Sequence, residues 1–124
     1  MCYTIFYAKK IGEADGYIIV TPEYNHGYSS VLKNAMDYVY KEWNNKPVAF
    51  VSYGGMSGGT RAVQQLRQVA VELQMAPIRN GAHVQLYWEK LDERGNLPLK
   101  ELRGVEPMFL QLIWWAKALK SARK

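Results

Sequence analysis

Thr21-Pro22-Glu23-Tyr24-Asn25-His26-Gly27-Tyr28-Ser29-Ser30 decides how this chain is read. The apolar run Tyr17-Ile18-Ile19-Val20 leads into it. Val31, Leu32, Ala35, Met36 and Val39 leave it at helical spacing and make one apolar face of a helix expected over 29–40. A buried strand therefore ends, the chain turns, and a helix starts. In an open parallel α/β sheet, ligands bind at that carboxyl end of a strand. Ser29 or Ser30 suits the helix N-cap. That role leaves Glu23, Tyr24 and Asn25 free for a ligand.

The same pattern returns downstream. Residues 47–53 are a second short apolar run, and Gly54-Gly55-Met56-Ser57-Gly58-Gly59-Thr60 follows it. A helix is expected over 60–74, with Ala62, Val63, Leu66, Val69, Ala70 and Leu73 on its core face and Thr60 as N-cap. Gly54 and Gly59 have the spacing of a P-loop, but Thr60 and Arg61 stand where the lysine and the hydroxyl residue belong. The loop is instead a flexible backbone whose N–H groups can approach a flat ligand closely. Two such loops on successive strand ends point to one shared site.

The flanks complete the order. Residues 82–88 alternate, with Ala82, Val84, Leu86 and Trp88 on one side and His83, Gln85 and Tyr87 on the other. This fits a half-exposed strand at an edge or at an oligomer interface. Residues 89–104 read as a charged loop, and a last helix opens near Pro107 with Met108, Leu112, Trp115 and Leu119 as its stripe. Within residues 1–16, Tyr3 to Tyr7 is β-prone and residues 8–14 read as the end of a short helix. Alternating strands and helices imply right-handed βαβ units, a parallel sheet and the α/β class.

The chain has 124 residues, 48% apolar, which suits one domain with a real core. No apolar run approaches the roughly 18 residues that span a bilayer. The N-terminus does not read as a signal peptide, so the cytoplasm is the default. Cys2 is the only cysteine, which excludes an intrachain disulfide and leaves a free terminal thiol; no metal site is expected. The net charge is +5, and Lys117, Lys120, Arg123 and Lys124 crowd the C-terminal helix, where cations suit the dipole. No basic stripe is interleaved with stacking aromatics, so nucleic acid is not the expected partner. A mild positive field attracts anionic nicotinamide dinucleotides.

These residues resemble a known family. Thr-Pro-Glu-Tyr-Asn at 21–25, Leu-Lys-Asn-Ala-Met-Asp-Tyr at 32–38, and Gly-Gly-Thr-Arg at 58–61 with Leu66-Arg67 are similar to the NADPH-dependent FMN reductases. That family is flavodoxin-like and includes FMN, quinone, chromate and azo-dye reductases. The resemblance implies bound FMN, hydride from NAD(P)H, and a small electron acceptor. It implies that Pro22, Glu23, Tyr24 and Asn25 line the isoalloxazine, through backbone groups and the Asn25 amide. It implies that Gly55, Met56, Ser57 and Gly58 meet the pyrimidine end of the ring through backbone N–H groups. Donors placed there stabilise the negative charge of a reduced ring. No side chain is needed as a general acid or base. Arg61 and Arg67 resemble positions near the site or the subunit interface, and the family forms dimers or tetramers.

The resemblance begins late. A flavodoxin-like sheet has the order 2-1-3-4-5, and this chain is expected to carry only about three strands, with flanking helices, in a single domain over 1–124. The usual first strand, its phosphate loop and its helix are not read in it. Its first strand is then expected to be an open edge, and Trp114 and Trp115 less covered. Two readings follow. One is a flavin-dependent NAD(P)H oxidoreductase whose flavin site is completed by residues 1–10 or by a neighbouring chain. The other is a non-catalytic remnant or oligomerisation module without flavin.

Overall fold

The computed structural model describes residues 2–124; Met1 and the side chain of Cys2, read above as a free thiol, lie outside what it describes. The chain runs α1 (Cys2–Glu13), β1 (Tyr17–Pro22), α2 (Ser30–Asp37), β2 (Pro47–Gly54), α3 (Thr60–Glu72), β3 (Ala76–Pro77), β4 (Ala82–Gln85) and α4 (Val105–Ala122), with short 3-10 turns at Lys41–Trp43, Tyr87–Glu89 and Leu99–Glu101. β1 and β2 pair in parallel from Tyr17 opposite Val48 to Pro22 opposite Tyr53. β3 and β4 both pair in parallel with the other side of β2. They act as one strand interrupted after Pro77, which cannot donate to a ladder.

β2 is the centre, and its alternation assigns the two layers. Val48 and Phe50 face α2 and α3, where they pack with Met36, Trp43, Val63 and Leu66. Ala49 faces α4 and packs with Ile78, Met108 and Leu112. Full burial of each large apolar side chain contributes about 1.5–3 kcal/mol. The expected stripes of the second and last helices therefore lie inward where they begin, and Trp115 is half-buried at the end of its stripe. Among the described residues β1 pairs only with β2, so its outer edge is open, and Val20 is 60% exposed. Trp114 is exposed as expected. No helix among the described residues is long and apolar enough to cross a membrane.

Four expectations change. Tyr3 to Tyr7 is helical, because Tyr7, Ala8 and Ile11 share one face that packs on the core. Lys46 holds the end of that helix: its buried ammonium donates to the carbonyls of Ile11 (3.3 Å) and Gly12 (3.0 Å). Tertiary packing thus overrides β propensity. The helix expected over 29–40 ends at Asp37, although Ser29 is its N-cap and accepts from the Leu32 N–H at 3.1 Å. Thr60 is not an N-cap; Gly59 is, and the Thr60 hydroxyl donates to the Ser57 carbonyl at 3.0 Å. The strand expected over 82–88 keeps its alternation to Gln85 and then stops, because Leu86 is left-handed at φ 46°.

Candidate functional site

The two signature loops meet at the carboxyl ends of β1 and β2. A cleft of about 320 Å³ opens there, lined by Pro22, Glu23 and Tyr24, by Tyr53, Gly54 and Gly55, and by Tyr87 and Trp88. The first loop is a tight hairpin. Tyr24 and Gly27 exchange backbone hydrogen bonds, each 2.9 Å, around Asn25 (φ 48°) and His26 (φ 70°). Two consecutive left-handed residues make a type I′ turn, which asparagine tolerates well.

Glu23 joins the loops. Its side chain is only 8% exposed and pairs with Arg61 Nε at 2.9 Å. The Ser57 hydroxyl donates to Glu23 Oε2 at 2.9 Å, and the Arg61 and Ala62 N–H groups donate to the same oxygen at 3.0 and 3.4 Å. Those two amides are free donors in the first turn of α3. A carboxylate from the other loop thus caps this helix, which explains why Thr60 is not needed. Burial by itself would raise the Glu23 carboxyl pKa. The hydrogen bonds from Ser57 and Ala62, the Arg61 charge and the Arg61 N–H outweigh it and hold the group below the ordinary carboxylate range. His26 adds a strap: its Nε2 contacts the Arg61 guanidinium, and its carbonyl accepts from Gln65 at 3.2 Å.

Of the eight cofactor-binding residues expected above, Pro22, Glu23, Tyr24 and Gly55 line the cleft. Asn25 is exposed at the tip of the hairpin, outside the lining, with its amide unpaired among the described residues. Met56 is 76% exposed, and Ser57 is committed to Glu23. Gly58 is buried against β4, with its carbonyl accepting from Ser52 at 2.7 Å. The N–H groups of Met56 and Ser57 donate to no acceptor among the described residues. Arg67 lies outside the cleft: its guanidinium donates to the carbonyls of Ile78 (2.8 Å) and Arg79 (3.2 Å) and ties the β3–β4 connection to α3. α1 contributes nothing to the lining, so residues 2–10 do not complete this cleft.

Sequence reasoning missed Tyr53, Tyr87 and Trp88 as lining residues. The last two were read as part of the strand expected over 82–88. It also missed the pair beneath the glycine loop. Ser52 is fully buried, and its Oγ lies 2.7 Å from His83 Nδ1. Burial, then the Arg67 charge, lowers the His83 pKa below its ordinary 6.5. The unfolded chain therefore takes up the proton first. The stability contribution is full above pH 6.5 and is lost as pH falls from there towards the folded-state value. Urea melts taken from about pH 8 to 5 are expected to lose stability over that lower range, and His83→Gln should remove that part of the slope.

Against this geometry, comparison with known proteins identifies the chain. The sequence profile described as NADPH-dependent FMN reductase matches residues 7–89. The chain belongs to the NADPH-dependent FMN reductase family. The matched segment holds every residue that lines the cleft. An NAD(P)H-dependent FMN reductase of Schizosaccharomyces pombe is 52% identical over 73 residues, 59% of this chain and 36% of that protein. An NADPH:quinone oxidoreductase of Arabidopsis thaliana is 37% identical over 97 residues, 73% of this chain and 50% of that protein. The chain thus spans about a third to a half of these family relatives. Among solved structures, the flavoenzyme NAD(P)H:(acceptor) oxidoreductase FerB of Paracoccus denitrificans superposes with a TM-score of 0.67 at 20% identity, over 98% of this chain and 69% of that one. The fold is flavodoxin-like, a parallel sheet with flanking helices.

Proposed function

We propose that this chain binds the ring of FMN and serves an NAD(P)H-dependent oxidoreductase that reduces a small acceptor of the quinone or flavin type. One observation carries the reading: both signature loops wall a single cleft at the strand ends, locked together by Glu23. The residues fit the group. The cleft sits at the low end of small-molecule sites, which run from about 300 to 1,000 Å³, so it suits one fused ring system. Gly55, where a Cβ would meet only the Trp88 ring at 3.8 Å, would let the ring approach the backbone closely. The Met56 and Ser57 N–H groups, next in the chain after Gly55, are proposed to donate to it, and the Asn25 amide to reach it from the hairpin tip outside the lining. Bound FMN would supply the hydride and electron transfer between NAD(P)H and the acceptor. The protein's part would be to hold the ring between the two loops and offer it backbone donors.

The names of the yeast and plant relatives support the reaction class. The phosphate seat is proposed to be supplied from outside residues 2–124. We further propose a cytoplasmic homodimer or homotetramer. Leu110, Ile113 and Trp114, exposed along α4, support an assembly and also favour the second reading, an oligomerisation module without flavin.

The test measures NAD(P)H oxidation with added FMN and a simple quinone. The expected result is a rate well above that of free FMN. A rate equal to that of free FMN, from folded protein, would favour the module. Asn25→Ala is expected to weaken FMN binding about three- to tenfold, the worth of roughly one hydrogen bond. Unchanged affinity in a fluorescence titration would remove Asn25 from the site.

A further inference from the structure

Leu86 is a strained point beside the cleft, with φ 46° and ψ 47°, a region that leucine rarely adopts. Its N–H donates to the Gly55 carbonyl at 3.1 Å, which bolts this turn to the glycine loop. The turn ends β4 and swings Tyr87 and Trp88 over the strand ends. Tyr53 and Tyr87 then meet edge to face at 5.1 Å, and Tyr87 and Trp88 at 5.4 Å. The Trp88 ring ends 3.8 Å from where a Gly55 Cβ would stand, yet 54% of Trp88 is exposed. An aromatic ladder thus fixes a large apolar ring at the mouth of the cleft. Backbone strain of this kind persists where the surroundings over-determine it and gathers at ligand clamps.

We propose that Trp88 is a ring-contacting residue of the cleft, one that favours planar heteroaromatic ligands, and that Leu86 and Tyr87 are its positioning residues. The inference rests on the flavin reading above. Stacking between an aromatic side chain and a heteroaromatic base has a worth that corresponds to about tenfold in affinity. The indole is moreover held in place before the ligand arrives, which lowers the ordering cost of binding.

The probe is lumiflavin, the ring without ribityl chain or phosphate, titrated into the 124-residue chain with flavin fluorescence as readout. Wild type is expected to quench the fluorescence. Trp88→Leu should bind about tenfold more weakly and leave bound flavin brighter. Trp88→Phe should stay within about threefold, because it keeps a stacking face. Leu86→Gly, which keeps the indole but frees the turn, should fall between them. Phe6→Leu, on α1 outside the cleft, should match wild type. If wild type binds lumiflavin and Trp88→Leu titrates identically, the inference fails and the flavin reading stands. If wild type binds FMN but not lumiflavin, the inference also fails alone. If wild type binds neither, the flavin reading fails and takes the inference with it.

Discussion

Glu23→Ala is expected to lower the unfolding free energy by about 2–4 kcal/mol and to loosen the cleft at the same time. The carboxylate is buried and accepts from a hydroxyl and from the first-turn amides of α3, beside the Arg61 guanidinium. Hydrogen bonds to a charged group contribute about 1.5–3 kcal/mol each, and removal leaves amides without acceptors. Water reaches part of the vacated space, so the sum falls short of additivity. Thermal melts should shift down by roughly 10 °C for a domain of this size. The acid limb carries the same signature. A depressed carboxyl pKa contributes stability above the unfolded value of 4.5, and this is lost as pH falls through the folded value. Glu23→Ala should flatten that limb. A Glu23→Ala protein that melts like wild type would show that the two loops are not coupled through this side chain.

Gly59→Ala is the second large effect, expected to cost about 2–5 kcal/mol. Gly59 sits at φ 83°, and a Cβ there would lie 2.7 Å from Ser52 Cβ and 3.0 Å from the Tyr53 carbonyl oxygen. The left-handed backbone costs a non-glycine residue about 1–2 kcal/mol. Overpacking against a fixed strand adds about 1–3 kcal/mol. The glycine loop turns directly over β2 and has no room to give. By contrast Gly95, also left-handed at φ 79° but with nothing within 4 Å, should pay only the backbone cost on substitution by alanine. Denaturant melts of the two variants separate steric from conformational strain: Gly59→Ala should lose clearly more. Equal losses would mean that the loop relaxes away from β2.

Both signature loops and the order of strands were legible, because each strand is a short apolar run and each loop holds residues that regular structure rarely uses. Thr21 to Ser30 marked the strand end and offered Ser29 or Ser30 as the cap, and Ser29 takes that place. What escaped depended on partners distant in sequence. Thr60 looked like a cap because a local hydroxyl is the usual solution, whereas here the acceptor comes from Glu23, 38 residues before Arg61. The Tyr3 to Tyr7 stretch is β-prone taken alone and helical because Tyr7 and Ile11 dock on the core. Trp88 followed an unbroken alternation, and only the left-handed Leu86 removes it from the strand. The cleft itself is a product of three chain segments, of which the glycine loop and the Thr-Pro-Glu-Tyr-Asn turn carry the readable signal and the aromatic turn after β4 does not.

The central claim is that the two loops form a flavin-ring site in this chain. Titration of the purified 124-residue protein with FMN, followed by quenching of flavin fluorescence with sedimentation in parallel, tests it most directly. The account expects saturable quenching at micromolar FMN by a defined oligomer. A folded chain that leaves FMN fluorescence unchanged through high micromolar protein would contradict it, and the cleft would then belong to a module that keeps the family's loops without their ligand.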